Sequence, residues 1–290
     1  MEQSVVARRS PDPPRATRRS DARPPSRSLP DARPLPKIPT PDAAWRELHH
    51  AASEPYRQAG QLSWHFVRGR LGRDPVFRML AERGLLGGGA VRLLDIGCGQ
   101  GLLASLAEAM RVQQAAGRWP AAWPPAPDAP DYTGIESAPR EAEHAAAAVG
   151  ALALRPRLVR GDMRETVFPP SDRVILFDAL HYVDLPAQEA VLARARDALA
   201  PGGRLLLRVG DAACRRGFTV SQWVDRTVTR VRGQTVAPTW GRPLADWVAL
   251  LQGLGFAVEP LPTGRSPPLA SVLLVADRPG PHAARAAAAP

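Results

Sequence analysis

Leu93-Leu94-Asp95-Ile96-Gly97-Cys98-Gly99-Gln100-Gly101-Leu102-Leu103 decides the fold of this chain. An apolar run ends in an acid, turns through three alternate glycines and enters a helical stretch. Each residue type has a physical reason to be there. Glycine reaches positive φ and lets a ligand approach the backbone, and the helix start behind it offers free N–H groups and the positive end of a dipole. Such a loop suits a nucleotide-like ligand at the carboxyl edge of a first strand. A dinucleotide fingerprint, G-x-G-x-x-G, is not met, because Leu102 stands where its last glycine belongs. Asp95 argues the same way: a carboxylate repels a pyrophosphate but accepts hydrogen bonds from the ammonium of an amino-acid ligand.

Outward from this loop, short apolar runs alternate with helical stretches, the pattern of βαβ units and a mostly parallel sheet. The expected strands are 92–96, 132–136, 157–160, 173–177, 204–209, 257–259 and 271–276. The last two are close enough in sequence to form an antiparallel hairpin. Between them, 185–199 reads as a helix with Asp184 as N-cap, and 244–254 as one closed by Gly255. Residues 43–89 read as a cap of short helices broken near Gly60, Gly72 and Pro75, with apolar faces drawn from Trp45, Leu48, Tyr56, Trp64, Phe66, Val67, Phe77, Leu80 and Leu85. Residues 90–278 form the ligand-binding domain. Trp119 to Pro130 reads as an insertion between the first crossover helix and the second strand, either a surface excursion or a lid over the substrate.

Charge places the remaining limits. The net charge is +10, but residues 1–42, rich in proline and arginine, and 279–290, rich in alanine, read as disordered tails that carry much of it. The charge left on the folded part is ordinary, and Lys37 is the single lysine, so the basic balance argues against a nucleic-acid partner. The sequence has neither a membrane-spanning apolar run nor a secretory signal, which predicts a soluble, cytoplasmic protein. Cys98 and Cys214 suggest no disulfide framework, and His49, His50 and His65 lack partners at metal-ligand spacing.

The acid and glycines at Asp95, Gly97, Gly99 and Gly101, with Cys98 among them, resemble the first motif of the class I S-adenosylmethionine-dependent methyltransferases. Glu136, ending Tyr132-Thr133-Gly134-Ile135-Glu136, is similar to the acid that holds the ribose hydroxyls in that family. Asp162 and Met163, after Arg160-Gly161, resemble the residues at the adenine ring. Val174-Ile175-Leu176-Phe177-Asp178 resembles the fourth strand, with Phe177 beside the cofactor, and Leu199-Ala200-Pro201-Gly202-Gly203 the turn before the fifth. The resemblance covers about residues 90–277 and implies a Rossmann-like seven-stranded sheet, S-adenosyl-L-methionine as cofactor, and methyl transfer by positioning an acceptor. His181 is the first choice of general base, with Asp178, Tyr182 and Asp211 as alternatives. The missing Asn/Asp-Pro-Pro-aromatic motif argues against amino methylation of adenine or glutamine. A small-molecule acceptor is expected, and Trp64, Arg68, Arg70, Trp223, Asp225, Arg226, Arg230 and Arg232 would suit an aromatic or fatty acid. A nicotinamide-dependent oxidoreductase and a non-catalytic cofactor-binding module are the competing readings.

Overall fold

The computed structural model describes residues 39–210, 239–263 and 271–280. The expected tails, apart from their innermost residues, lie outside this range, as do Asp211, Cys214, Trp223, Asp225, Arg226, Arg230 and Arg232.

The cap opens with α1 (Pro41–Ser53), started by Thr40, whose side chain accepts from Ala43 N at 3.4 Å. A 3₁₀ turn (Glu54–Arg57) leads through Gly60, at φ 103°, into α2 (Gln61–Arg73) and then α3 (Pro75–Glu82). The α2–α3 break falls at Asp74 and not at Gly72, because Asp74 is extended ahead of Pro75 and caps α3 by accepting from Val76 N at 3.2 Å.

The ligand-binding part follows as β1 (Gly89–Ile96), α4 (Leu102–Ala115), β2 (Pro127–Glu136), α5 (Pro139–Val149), β3 (Arg157–Arg160) and β4 (Ser171–Phe177). A second 3₁₀ turn (Leu180–Tyr182) precedes α6 (Leu185–Ala198), β5 (Leu199–Gly210), α7 (Leu244–Gly253), β6 (Ala257–Pro262) and β7 (Ser271–Asp277). Asp184 caps α6, accepting from Ala187 N at 2.9 Å, and Gly255 follows α7 at φ 83°. Both helix ends stand as the sequence predicts.

The strand order is β3-β2-β1-β4-β5-β7-β6, parallel except for β7, which is antiparallel to both β5 and β6. Alternation along each strand builds two cores. Val91, Leu93, Ile175 and Leu206 face α1 to α5, while Leu94, Ile96, Val174, Leu176, Leu205 and Leu207 face α6 and α7. The helices after β1 and β4 therefore leave toward opposite faces. The crevice between these neighbouring strands is the topological switch point where ligands of such sheets bind.

Two expectations change. Pro127 to Pro130 belong to β2, paired with Gly89 to Val91, so the insertion is shorter than expected. Its remainder packs Trp119 against Trp123 edge-on at 5.1 Å and sits beside Gly84 and Gly88, ahead of the first residues of β1. It is therefore at the edge opposite the glycine loop, which excludes the lid. Phe66, expected on an apolar face of the cap, is 37% exposed.

Candidate active site

Asp95 shares a face with Val91 and Leu93, so β1 carries its carboxylate inward, where it is buried. Tyr132 donates its hydroxyl to Asp95 Oδ2 at 2.6 Å. Burial raises the Asp95 pKa to about 7, against the Tyr132 hydrogen bond and helped by the nearby Glu136 charge. The same burial pushes the Tyr132 and Cys98 acidities upward in pKa.

Gly97, Gly99 and Gly101 all have positive φ (76°, 56° and 75°), for different reasons. A Cβ on Gly97 would stand 2.4 Å from Ala179 Cβ, and one on Gly101 2.9 Å from Val149. At Gly99 nothing lies within 4 Å. The outer glycines thus permit close packing, while the middle one leaves open backbone for a ligand. Gly97 N and Cys98 N donate to Ile135 O at 2.8 and 3.1 Å, fastening the loop to the end of β2. From the cap, Tyr56 donates its hydroxyl to Gln100 O at 3.0 Å, and Ser105 Oγ donates to Ala52 O at 2.7 Å.

Glu136 ends β2 and accepts from Gly99 N and Ala138 N, both at 2.8 Å. Its remaining lone pairs border a cavity of about 240 Å³ between α5, β2 and β3, shared with Cys98, Gly134 and Leu158. Asp162 follows β3, but its carboxylate is turned onto its own loop, accepting from Arg164 N at 2.8 Å and from the Arg164 guanidinium at 2.6 Å. That hydrogen bond lowers the Asp162 pKa. Met163 packs toward the α6 core. Arg194 of α6 ties the loop down, donating to Met163 O at 2.9 Å, Arg164 O at 2.7 Å and Thr166 O, and lying 4.3 Å from the Phe168 ring centroid.

Phe177 meets Phe77 of the cap edge-on at 6.4 Å. Asp178, at φ 52°, joins Arg208 of β5 (Nε to Oδ1 2.9 Å, with a second contact through Nη2) to Arg70 of α2 at 2.7 Å. Arg208 also donates to Asp74 at 2.5 Å. Burial would raise the Asp178 pKa, but the two arginines outweigh it and hold it at about 2. Burial works against the Arg208 charge as well, and Asp178 and Asp74 outweigh it, raising the Arg208 pKa. At this pKa Asp178 is a weak proton acceptor. His181 and Tyr182 follow in the 3₁₀ turn with ring centroids 4.1 Å apart, and His181 O accepts from Trp240 N at 2.8 Å. The chain thus brings Asp95, the glycines, Glu136, Asp178 and the His181 turn to one edge. Asp74, Arg194 and Arg208 escaped the sequence reading, and Tyr56 and Tyr132 entered it without their polar roles, although Arg208, a charge within the apolar run 205–209, signalled a buried ion pair.

These residues fit the implied cofactor: open backbone at Gly99 for close approach, a buried carboxylate at Asp95 for an ammonium, and acceptor lone pairs at Glu136 for hydroxyls. Residues 43–261 of the chain match the family described as "Methyltransferase domain". No curated protein sequence matches. Among solved structures, an O-methyltransferase family protein from Burkholderia thailandensis is similar at 17% identity and TM-score 0.52, over 82% of this chain and 69% of that one. Magnesium protoporphyrin IX methyltransferase from Synechocystis PCC 6803 with bound S-adenosylhomocysteine gives 19% identity and TM-score 0.49 over 82% and 100%. An O-methyltransferase family 2 protein from Planctomyces limnophilus in complex with apigenin gives 20% and 0.49 over 81%, this chain spanning 64% of its length. The family match, over a chain that carries the glycine loop on a seven-stranded sheet of this order, makes the protein an enzyme of the class I S-adenosylmethionine-dependent methyltransferase family, with S-adenosyl-L-methionine as its cofactor.

Proposed function

We propose that the protein methylates a small aromatic acceptor held between the cap and the carboxyl edge of β4 and β5, with His181 as general base when the accepting atom carries a proton. The observation that carries this reading is a set of exposed aromatic side chains around that edge. Phe66 lies one helical turn from Arg70 on α2, the stripe that reaches Asp178. Tyr182 is 45% and Trp240 43% exposed, both joined to His181 by ring contact or hydrogen bond. Large aromatic faces left in water around a crevice suit a flat apolar ligand.

The donor supplies a methyl group activated by its sulfonium leaving group. The chain has to hold the two partners. Asp95, Gly99 and Glu136 would hold the donor, the cap excludes water, and the His181 turn meets the acceptor. Arg68 supports an anionic acceptor less well, since it stacks 5.3 Å from the Trp64 centroid and its place on α2 points away from the Arg70 stripe.

Methyl transfer from labelled S-adenosylmethionine to phenols, aromatic carboxylic acids, fatty acids, RNA and protein tests the proposal. Transfer to an aromatic compound, with a KM that rises about tenfold in Phe66→Ala while S-adenosylhomocysteine affinity holds, is the expected result. Transfer confined to fatty acids or to a macromolecule overturns it.

A further inference from the structure

We propose that Arg208 is a positioning residue that fixes α2 over the carboxyl edge and so sets the place of the acceptor-facing stripe. It rests on the reading that the acceptor meets α2.

Arg208 lies on the same face of β5 as Leu206, inside the core beneath α2 and α3, and is 4% exposed. Its guanidinium spans two carboxylates from different parts of the chain: Asp178 after β4 and Asp74 at the α2–α3 corner. Arg70 then closes the circuit from α2 back to Asp178 at 2.7 Å. Two arginines and two aspartates balance, and the planar guanidinium of Arg208 also lies 5.3 Å from the Phe177 ring centroid. Only Arg208 is deeply buried, its partners Asp74, Arg70 and Asp178 being 21%, 34% and 38% exposed, so solvent screening and the desolvation of Arg208 leave the network little net stability over apolar packing. What it does supply is direction. A bidentate fork accepts its partners in one geometry and resists sliding.

The geometry also explains Asp178. It is one of two non-glycine residues at positive φ among the described residues, and it sits between β4 and the turn bearing His181. Arg208 and Arg70 hold its carboxylate from two sides, so the costly backbone angle is fixed by the same contacts that seat the cap. One group therefore aligns both walls of the acceptor crevice: α2, with Phe66 and Arg70, and the turn, with His181 and Tyr182.

Hydrogen exchange on the full chain, with and without S-adenosylhomocysteine, tests this in wild type, Arg70→Gln, Arg208→Lys and Arg208→Gln. Amides of residues 61–73 should exchange about tenfold faster in both glutamine variants while β1 and β4 keep their protection. Arg208→Lys should fall between, since an ammonium keeps the charge without the fork. Unchanged exchange in α2, or equal loss through cap and sheet in Arg70→Gln, overturns the proposal. Should Arg208→Gln fail to fold, Arg70→Gln and Arg208→Lys decide. The exchange arms contain no acceptor, so failure of the aromatic panel with α2 responding as stated removes the acceptor reading and leaves the clamp. With an aromatic acceptor in hand, Arg70→Gln should raise its KM about tenfold with kcat and donor affinity held, and an unchanged KM overturns the positioning role.

Discussion

At the scale of single residues, the charge beside the glycine loop is set by Asp95. With a folded pKa of about 7 against an ordinary 3.8, Asp95 binds a proton more tightly folded than unfolded. Its contribution to stability is therefore present at acidic pH and lost as pH rises toward about 7. Binding of an ammonium has the opposite sign, since it needs the carboxylate ionised. Calorimetric titration should show S-adenosylhomocysteine affinity falling up to about tenfold per pH unit below neutrality and levelling above it. In Asp95→Asn the affinity should be weak and free of that slope; a slope that persists would place the titration elsewhere. The glycines separate by the same logic. Gly97→Ala meets both a left-handed backbone and Ala179, and should lower stability by about 2–4 kcal/mol in denaturant melts. Gly99→Ala meets strain alone, about 1 kcal/mol, and should lose ligand affinity more than stability. The turn of the loop was legible because its three glycines stand at the positions that need positive φ. The partners of Tyr56 and Arg208 were not, because they lie 44 residues away for Tyr56 and 30 and 134 residues away for Arg208.

At the scale of elements, periodicity served well where one face is buried. β1, β3 and α6 stand within a few residues of their expected ends, and Asp184 caps α6. It served poorly where proline and tryptophan dominate. Pro127 to Pro130 read as loop, yet they extend β2, because β1 offers its backbone groups to them from Gly89 onward. The rest of the insertion is structural, with Trp123 buried and Trp119 Nε1 donating to Pro124 O at 2.9 Å. Trp123→Ala should cost about 3 kcal/mol of stability in thermal or urea unfolding, with unchanged S-adenosylhomocysteine affinity in the folded fraction. The Asp162 loop is held in the same structural way: three of its carbonyls converge on Arg194, so Arg194→Met should cost about 1–3 kcal/mol of stability in thermal or urea unfolding.

At the scale of the molecule, the cap is not an attachment. Leu48, Tyr56, Val67, Leu71, Val76 and Leu80 share one cluster with Leu93, Leu106, Ile175 and Leu206. Residues 39–280, as far as they are described, should unfold in one transition, with far-ultraviolet circular dichroism and tryptophan fluorescence coincident. A fragment beginning at Gly88 should not reach that state; two separated transitions, or a folded fragment, would show the cap to be independent.

The outermost strands carry a consequence of their own. β3 has four residues with an arginine at each end, and β6 includes Pro260 and Pro262, which offer no N–H to a newcomer. Both borders of the sheet are thus poor templates for further pairing. Among the described residues, edge-to-edge growth between copies of this chain and docking by an added strand are thereby disfavoured at both borders.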